Sequence, residues 1–263
     1  MSFKKILKIA AGVLAAVIIA FVFTVSRHYQ VPILMYHSVY PGAKPQNRLA
    51  VNADSFRRQV CFLKKHNYNV IPLEKLADLI REKKKIPRNT VLITFDDGYR
   101  DFYLYAYSVL KEYNLPATMF VIINEVGRPQ QDRLSWNEIK EMQDSGLITF
   151  GSHCLGPEPL INLKFEAEVK REIIESKSRL QEKLGREVVL FSYPEGRFSV
   201  KIRQMVIDAG YKAAVATNPG IDYPGDDVFA LKRLRISSTS DNLFVFWFES
   251  NGYYTFFRER RHK

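Results

Sequence analysis

Between residues 32 and 231 the chain alternates short apolar runs with amphipathic segments of helix length, and few folds accept that rhythm. The runs lie at 32–36, 90–95, 117–122, 147–151, 188–191 and 213–216, with a weaker one at 229–231. The helix-length segments lie at 53–66, 73–84, 101–113, 136–145, 165–184 and 200–209. Such alternation predicts parallel strands joined by crossover helices. Ser135, with Glu138 three residues on, marks one helix start as a capping box. Gly146, Gly185 and Gly210 each stand where a helix ends in the left-handed conformation. A length of 263 residues suits one barrel domain plus a short appendage.

Four of the predicted strands end directly in polar clusters: Tyr36-His37-Ser38, Asp96-Asp97-Gly98-Tyr99, Ser152-His153 and Tyr193-Pro194-Glu195-Gly196. In a parallel barrel all strand C-termini share one face, and active sites are built there. Residues far apart in sequence therefore converge. Adjacent aspartates at a strand end point in different directions, so one can ligate a metal while the other acts as a base. His153 adds a nitrogen ligand, and an Asp/His set with open positions suits metal-assisted hydrolysis. The chain has no Gly-x-Ser-x-Gly elbow, Walker loop or Gly-x-Gly-x-x-Gly, which removes three large enzyme classes.

Taken in order, these motifs resemble the polysaccharide deacetylase (NodB-homology) family, carbohydrate esterase family 4. Thr94-Phe95-Asp96-Asp97-Gly98 matches its first motif, and the opening at Pro32 to Ser38 looks like the start of many members. Leu134-Ser135-Trp136, Gly151-Ser152-His153 and Phe191 to Gly196 follow in family order, so the resemblance covers about residues 31–240. It implies an α/β fold, a deformed (β/α) barrel of about seven parallel strands. It also implies a divalent metal ion, zinc or another first-row metal, that activates water to remove acetyl groups from glycans. Asp96 then corresponds to the general base, and Asp97 and His153 to metal ligands.

The sequence departs from the pattern twice. Four or five residues after His153 the family carries a second histidine; Pro157 and Glu158 stand there instead. Two readings stay open: Glu158 is the replacement ligand, since carboxylates bind zinc well, or the metal site is lost. Glu195 occupies a usually aromatic position. Its N–H would serve the oxyanion, while its carboxylate either perturbs the nearby aspartates or pairs with Arg197. No late Leu-x-His motif is found, so His37 is the remaining candidate for protonating the leaving amine, against a purely structural histidine. Tyr99, Tyr193, Pro194, Glu195 and Arg235 are the expected substrate contacts. Arg233 and Arg235 either orient Asp96 or sit at the surface. The expected activity is hydrolytic deacetylation of an N-acetylated polysaccharide. The alternatives are an inactive glycan-binding or envelope scaffold, and a glycosidase pairing Asp96 with Glu195.

Residues 9–25 form a run of 17 without a charge, preceded by Lys4, Lys5 and Lys8 and followed by Arg27 and His28. That run is long enough to cross a bilayer, and its flanks favour a cytoplasmic N-terminus. A cleaved signal peptide competes, although no Ala-x-Ala-like site is present. The expectation is a single-pass anchor in the cytoplasmic membrane over 1–28 and a deacetylase-like domain outside over 29–263. Net charge is +11, and four of the basic residues precede residue 29. The remaining excess suits anionic surfaces; no nucleic-acid motif accompanies it, so nucleic acid is not an expected partner. Cys61 and Cys154 make no disulfide framework. Residues 243–248 read as a packing helix and 258–263 as a frayed end.

Overall fold

Strand pairing turns the predicted alternation into a ring. The computed structural model describes residues 30–128, 132–217, 227–252 and 254, with a few positions between 12 and 19. Strand β1 (Ile33–Tyr36) is followed by a side pair, β2 (Ser38–Tyr40) with β3 (Ala50–Asn52), and by the two-residue β4 (Asn69–Val70). The ring continues through β5 (Thr90–Phe95), β6 (Ala117–Val121), β7 (Ile148–Ser152), β8 (Leu190–Ser192) and β9 (Ala213–Ala216), each parallel to the next. The last segment nearly closes it: β10 (Leu231–Lys232) pairs with β9, and β11 (Leu234–Arg235) pairs with β1. Residues 231–235 thus act as one seventh stave, with Arg233 in the middle.

The strands alternate by twos. Leu34, Ile93, Phe95, Met119, Phe150 and Phe191 face the helices and share the larger apolar core. Ile33, Leu92, Phe120, Leu190, Ala213, Val215 and Leu231 form a second cluster, which fills the barrel interior. All six residues of β5 are buried, as expected for a parallel strand covered on both faces.

Around the ring run α1 (Ala53–Lys65), α2 (Leu73–Arg81), α3 (Tyr107–Tyr113), α4 (Trp136–Asp144), α5 (Glu166–Leu184), α6 (Val200–Asp208) and α7 (Leu243–Ser250). The capping box at Ser135 and Glu138 is present, and Gly185 ends α5 with φ 66°. Differences from expectation are local. The single helix predicted at 101–113 begins instead as a π-helical stretch, Phe102–Ala106. The weak strand at 229–231 is shifted to 231–235, because Arg233 and not an apolar residue occupies its centre. Strands β2 and β3 have three residues each, too few to show a period. Both cysteines are free. The predicted membrane span falls largely outside the described residues, and among the described residues no helix is long and apolar enough to cross a membrane.

Candidate active site

Following the inward positions by twos along each stave leads straight to the site. The series passes Met35 on β1 and His37 just after it, Asp96 after β5, Ile122 after β6 and His153 after β7. It continues to Pro194 after β8, Thr217 after β9 and Arg235 in β11. All of these line one cleft of about 540 Å³, together with Leu49, Asp97, Tyr99, Arg133, Pro157, Glu195 and Gly196.

Backbone kinks shape the rim. Asp97 (φ 71°), Cys154 (φ 67°) and Glu195 (φ 56°) each adopt the left-handed conformation just past a strand end. Each such residue costs on the order of 1 kcal/mol, and strain of this kind collects at functional sites. At Asp97 the kink breaks the alternation, so both aspartates reach the cleft. Gly196 (φ 69°) follows the third kink, where a Cβ would sit 2.3 Å from the Thr217 nitrogen; only glycine fits.

Asp96 is the most firmly held group. Its two oxygens accept from Arg233 Nη1 at 2.7 Å and Nη2 at 2.6 Å, a bidentate pair in which Arg233 is 1% exposed and Asp96 3%. Ser192 Oγ accepts from Arg233 Nη2 at 2.9 Å, completing the support. Burial alone would raise the Asp96 pKa, but the Arg233 guanidinium, with His153 and His37, brings it down to about 2. Asp96 is therefore ionised at neutral pH.

His153 and Asp97 face each other, Nε2 to Oδ1, at 3.4 Å. His153 Nδ1 lies 2.8 Å from the Ser192 carbonyl oxygen. Donating there fixes the tautomer and leaves Nε2 as the free donor atom, the usual preparation of a metal-binding imidazole. Burial would lower the His153 pKa, yet Asp96 and Asp97 raise it above the ordinary histidine value. Asp97 is lowered, burial being outweighed by its hydrogen bond to His153. Burial lowers the His37 pKa against the pull of both aspartates, and its Nδ1 is buried without a hydrogen-bond partner.

Do these residues fit a divalent ion? At two positions they do: Asp97 and His153 present a carboxylate oxygen and a prepared imidazole nitrogen side by side. The third position is empty of donors, because Pro157 lines the cleft where the second histidine would stand. Glu158 does not replace it. That residue is exposed, accepts from Asn162 Nδ2 at 2.6 Å and is not part of the cleft wall. Among the described residues no group of three or more acidic, histidine or cysteine side chains is arranged to hold a metal. Alanine at position 158 should accordingly leave divalent-metal affinity unchanged by calorimetry.

The loop carrying Pro157 is clamped, since Glu172 Oε2 on α5 accepts from the N–H groups of Leu155 at 2.8 Å and Gly156 at 3.0 Å. Glu195 lines the rim but turns its carboxylate to Arg197 at 3.2 Å, the exposed pairing foreseen as one option. That pairing leaves it poorly placed to share a glycosidase role with Asp96. Tyr193 is the clearest correction. It points outward, is fully buried, stacks on Phe198 and donates its hydroxyl to the Phe229 carbonyl at 3.0 Å. It is a core residue and touches no substrate space. Tyr99 stays at the cleft, its ring 4.0 Å from the Arg133 guanidinium carbon, and Arg133 also donates to the Asp97 carbonyl. Arg235 is exposed at the mouth. The sequence alone leaves Arg233 undecided and singles out neither Ser192 nor Arg133. The parity of the strand ends could have selected Ser192 and Arg233; nothing in the sequence marks Arg133.

A nearly closed parallel barrel with its charged cluster at the C-terminal strand ends defines an enzyme of the (β/α)-barrel class. The chain belongs to the polysaccharide deacetylase family, whose model matches residues 83–214; members are hydrolases acting on N-acetyl amide bonds. Bacillus subtilis (strain 168) YxkH, named as a polysaccharide deacetylase, is 32% identical over 208 residues, covering 79% of this chain and 72% of that protein. The poly-β-1,6-N-acetyl-D-glucosamine N-deacetylase of Staphylococcus aureus (strain MSSA476) is 26% identical, covering 75% and 71%. Among solved structures, the Streptococcus pyogenes deacetylase PplD in complex with acetate superposes with a TM-score of 0.73 at 28% identity, covering 82% of this chain and 97% of that one.

Proposed function

We propose that this chain removes acetyl groups from the amino sugars of an N-acetylated polysaccharide, outside the cytoplasmic membrane, with residues 1–28 as its anchor. The observation that carries the reading is the buried Asp96–Arg233 pair at the inner end of a cleft that also presents Asp97 and His153. A relative acting on a glucosamine polymer supports the substrate class.

In this reading Asp96 accepts a proton from the attacking water. Arg233 holds it ionised and rigid, but at a pKa of about 2 it is a weak base. Asp97 and His153 would hold a divalent ion, which when bound supplies an acidified water of the kind so weak a base requires. The Glu195 N–H, in its left-handed turn, would donate to the oxyanion. His37 enters unprotonated, because burial lowers its pKa; it can protonate the leaving amine only after receiving the proton that Asp96 takes.

Acetate release from an N-acetylglucosamine polymer, with divalent metal supplied, tests the reading. The native chain should release acetate, and Asp96→Asn should lower the rate by at least ~10²-fold. The two-ligand metal position favours one rival, an inactive glycan binder. Glycan binding that persists in Asp96→Asn, with no acetate from the native chain, would establish that rival.

A further inference from the structure

Helix α7 packs with one face only. Phe246 is buried and meets Phe62 of α1 edge-on, ring centres 6.0 Å apart. Phe244 is 72% exposed and Trp247 42%, and the two rings lie 5.5 Å apart. Large aromatic rings are ordinarily buried, so a contiguous pair left in water calls for a partner. Leu243 continues this face into a groove of about 410 Å³ shared with Arg58 and Lys65 of α1. Arg57 in the same groove is neutralised by Glu112, whereas Lys64 and Lys65 are exposed in the last turn of α1. The nearest acid on α7 itself, Glu249, is buried. The face is therefore aromatic with a basic border.

Where the chain enters the domain identifies the occupant. The Gln30 N–H donates to the carbonyl of Gly252, just past the end of α7, at 3.0 Å. Gln30 is five residues after Val25, the end of the uncharged N-terminal run, and five residues span at most ~17 Å. Helix α7 is itself only ~12 Å long. If that run is in a bilayer, α7 cannot be far from its surface. The sequence after α7 keeps the same composition: Tyr253, Tyr254, Phe256 and Phe257, then Arg258, Arg260, Arg261 and Lys263. Aromatic residues followed by basic ones suit the headgroup region of an anionic membrane.

We infer that the exposed face of α7, with Arg58 and Lys65, docks on an anionic lipid surface. Phe244 and Trp247 enter the interface and the cations meet lipid phosphates. The inference rests on the anchor reading and is independent of the deacetylase chemistry.

The chain has two tryptophans, so the full-length Trp136→Phe variant leaves Trp247 as the sole reporter. In phosphatidylglycerol vesicles, brominated acyl chains should quench Trp247 emission at least ~twofold, and Phe244→Asp with Lys65→Glu should abolish the quenching. In purely phosphatidylcholine vesicles the quenching should be weaker. Equal emission with and without bromine, in a chain that floats with the vesicles, overturns the inference and spares the anchor. A blue-shifted but unquenched Trp247 means that protein covers the face, which also overturns it. Failure to float overturns the anchor and the docking together. Acetate release, measured separately, is untouched by all three outcomes.

Discussion

Replacing Arg233 with methionine is expected to destabilise the domain by about 3–5 kcal/mol, because it removes one partner from a buried ion pair and strands the other. Asp96 is 3% exposed and both its oxygens rely on Arg233. The same substitution in an Asp96→Asn background should cost much less, since no charge is then left unpaired. The pH dependence separates the pair from simple packing. In the native chain Asp96 falls to about 2, so it contributes about 2 kcal/mol above the unfolded carboxylate pKa of ~3.9. That contribution is lost as pH falls from ~4 toward 2. Without Arg233, burial dominates and the folded-state pKa rises. The sign reverses, and the variant should gain stability on acidification through that raised pKa. Urea denaturation followed by circular dichroism between pH 3 and 7 reads both slopes. Parallel slopes in the two proteins would mean that Arg233 does not set the Asp96 charge.

Histidine in place of Pro157 is expected to tighten zinc or cobalt binding by more than the ~10–100-fold that outer-shell changes produce. Asp97 and His153, the two candidate ligands, already stand side by side, with His153 Nδ1 on the Ser192 carbonyl. Position 157 lines the same cleft and the preceding loop is held by Glu172. A third protein ligand converts a two-point grip into the set typical of catalytic sites. Calorimetry with zinc and the visible absorption of cobalt both report the gain. An unchanged affinity would mean that Asp97 and His153 do not hold the ion.

Much of the ring was legible. Strands β5 and β9 lie where the apolar runs put them, and β1, β6 and β7 differ by a residue or so at their ends, because an apolar run and a helix-length gap are strong signals when both recur. The polar endings of those runs marked the cleft. What escaped has physical reasons. The seventh strand carries Arg233 at its centre, so hydrophobicity could not reveal it. Tyr193 stands within a polar motif, although its parity relative to Ser192 and Pro194 sends it outward. Glu158 looked adjacent to His153 in sequence, yet the left-handed turn at Cys154 and the Glu172 clamp carry the loop past the cleft before Glu158 arrives. A one-dimensional spacing cannot register such a turn.

The five residues that finish the ring also deliver the counter-ion of Asp96, which lies 137 positions earlier. Assembly order is thereby coupled to charge. Until residues 231–235 dock between β9 and β1, Asp96 lacks its guanidinium partner, and drying its surroundings would strand a carboxylate. A chain ending before residue 231 would keep nearly every strand and helix of the domain and still lack the guanidinium that pairs Asp96.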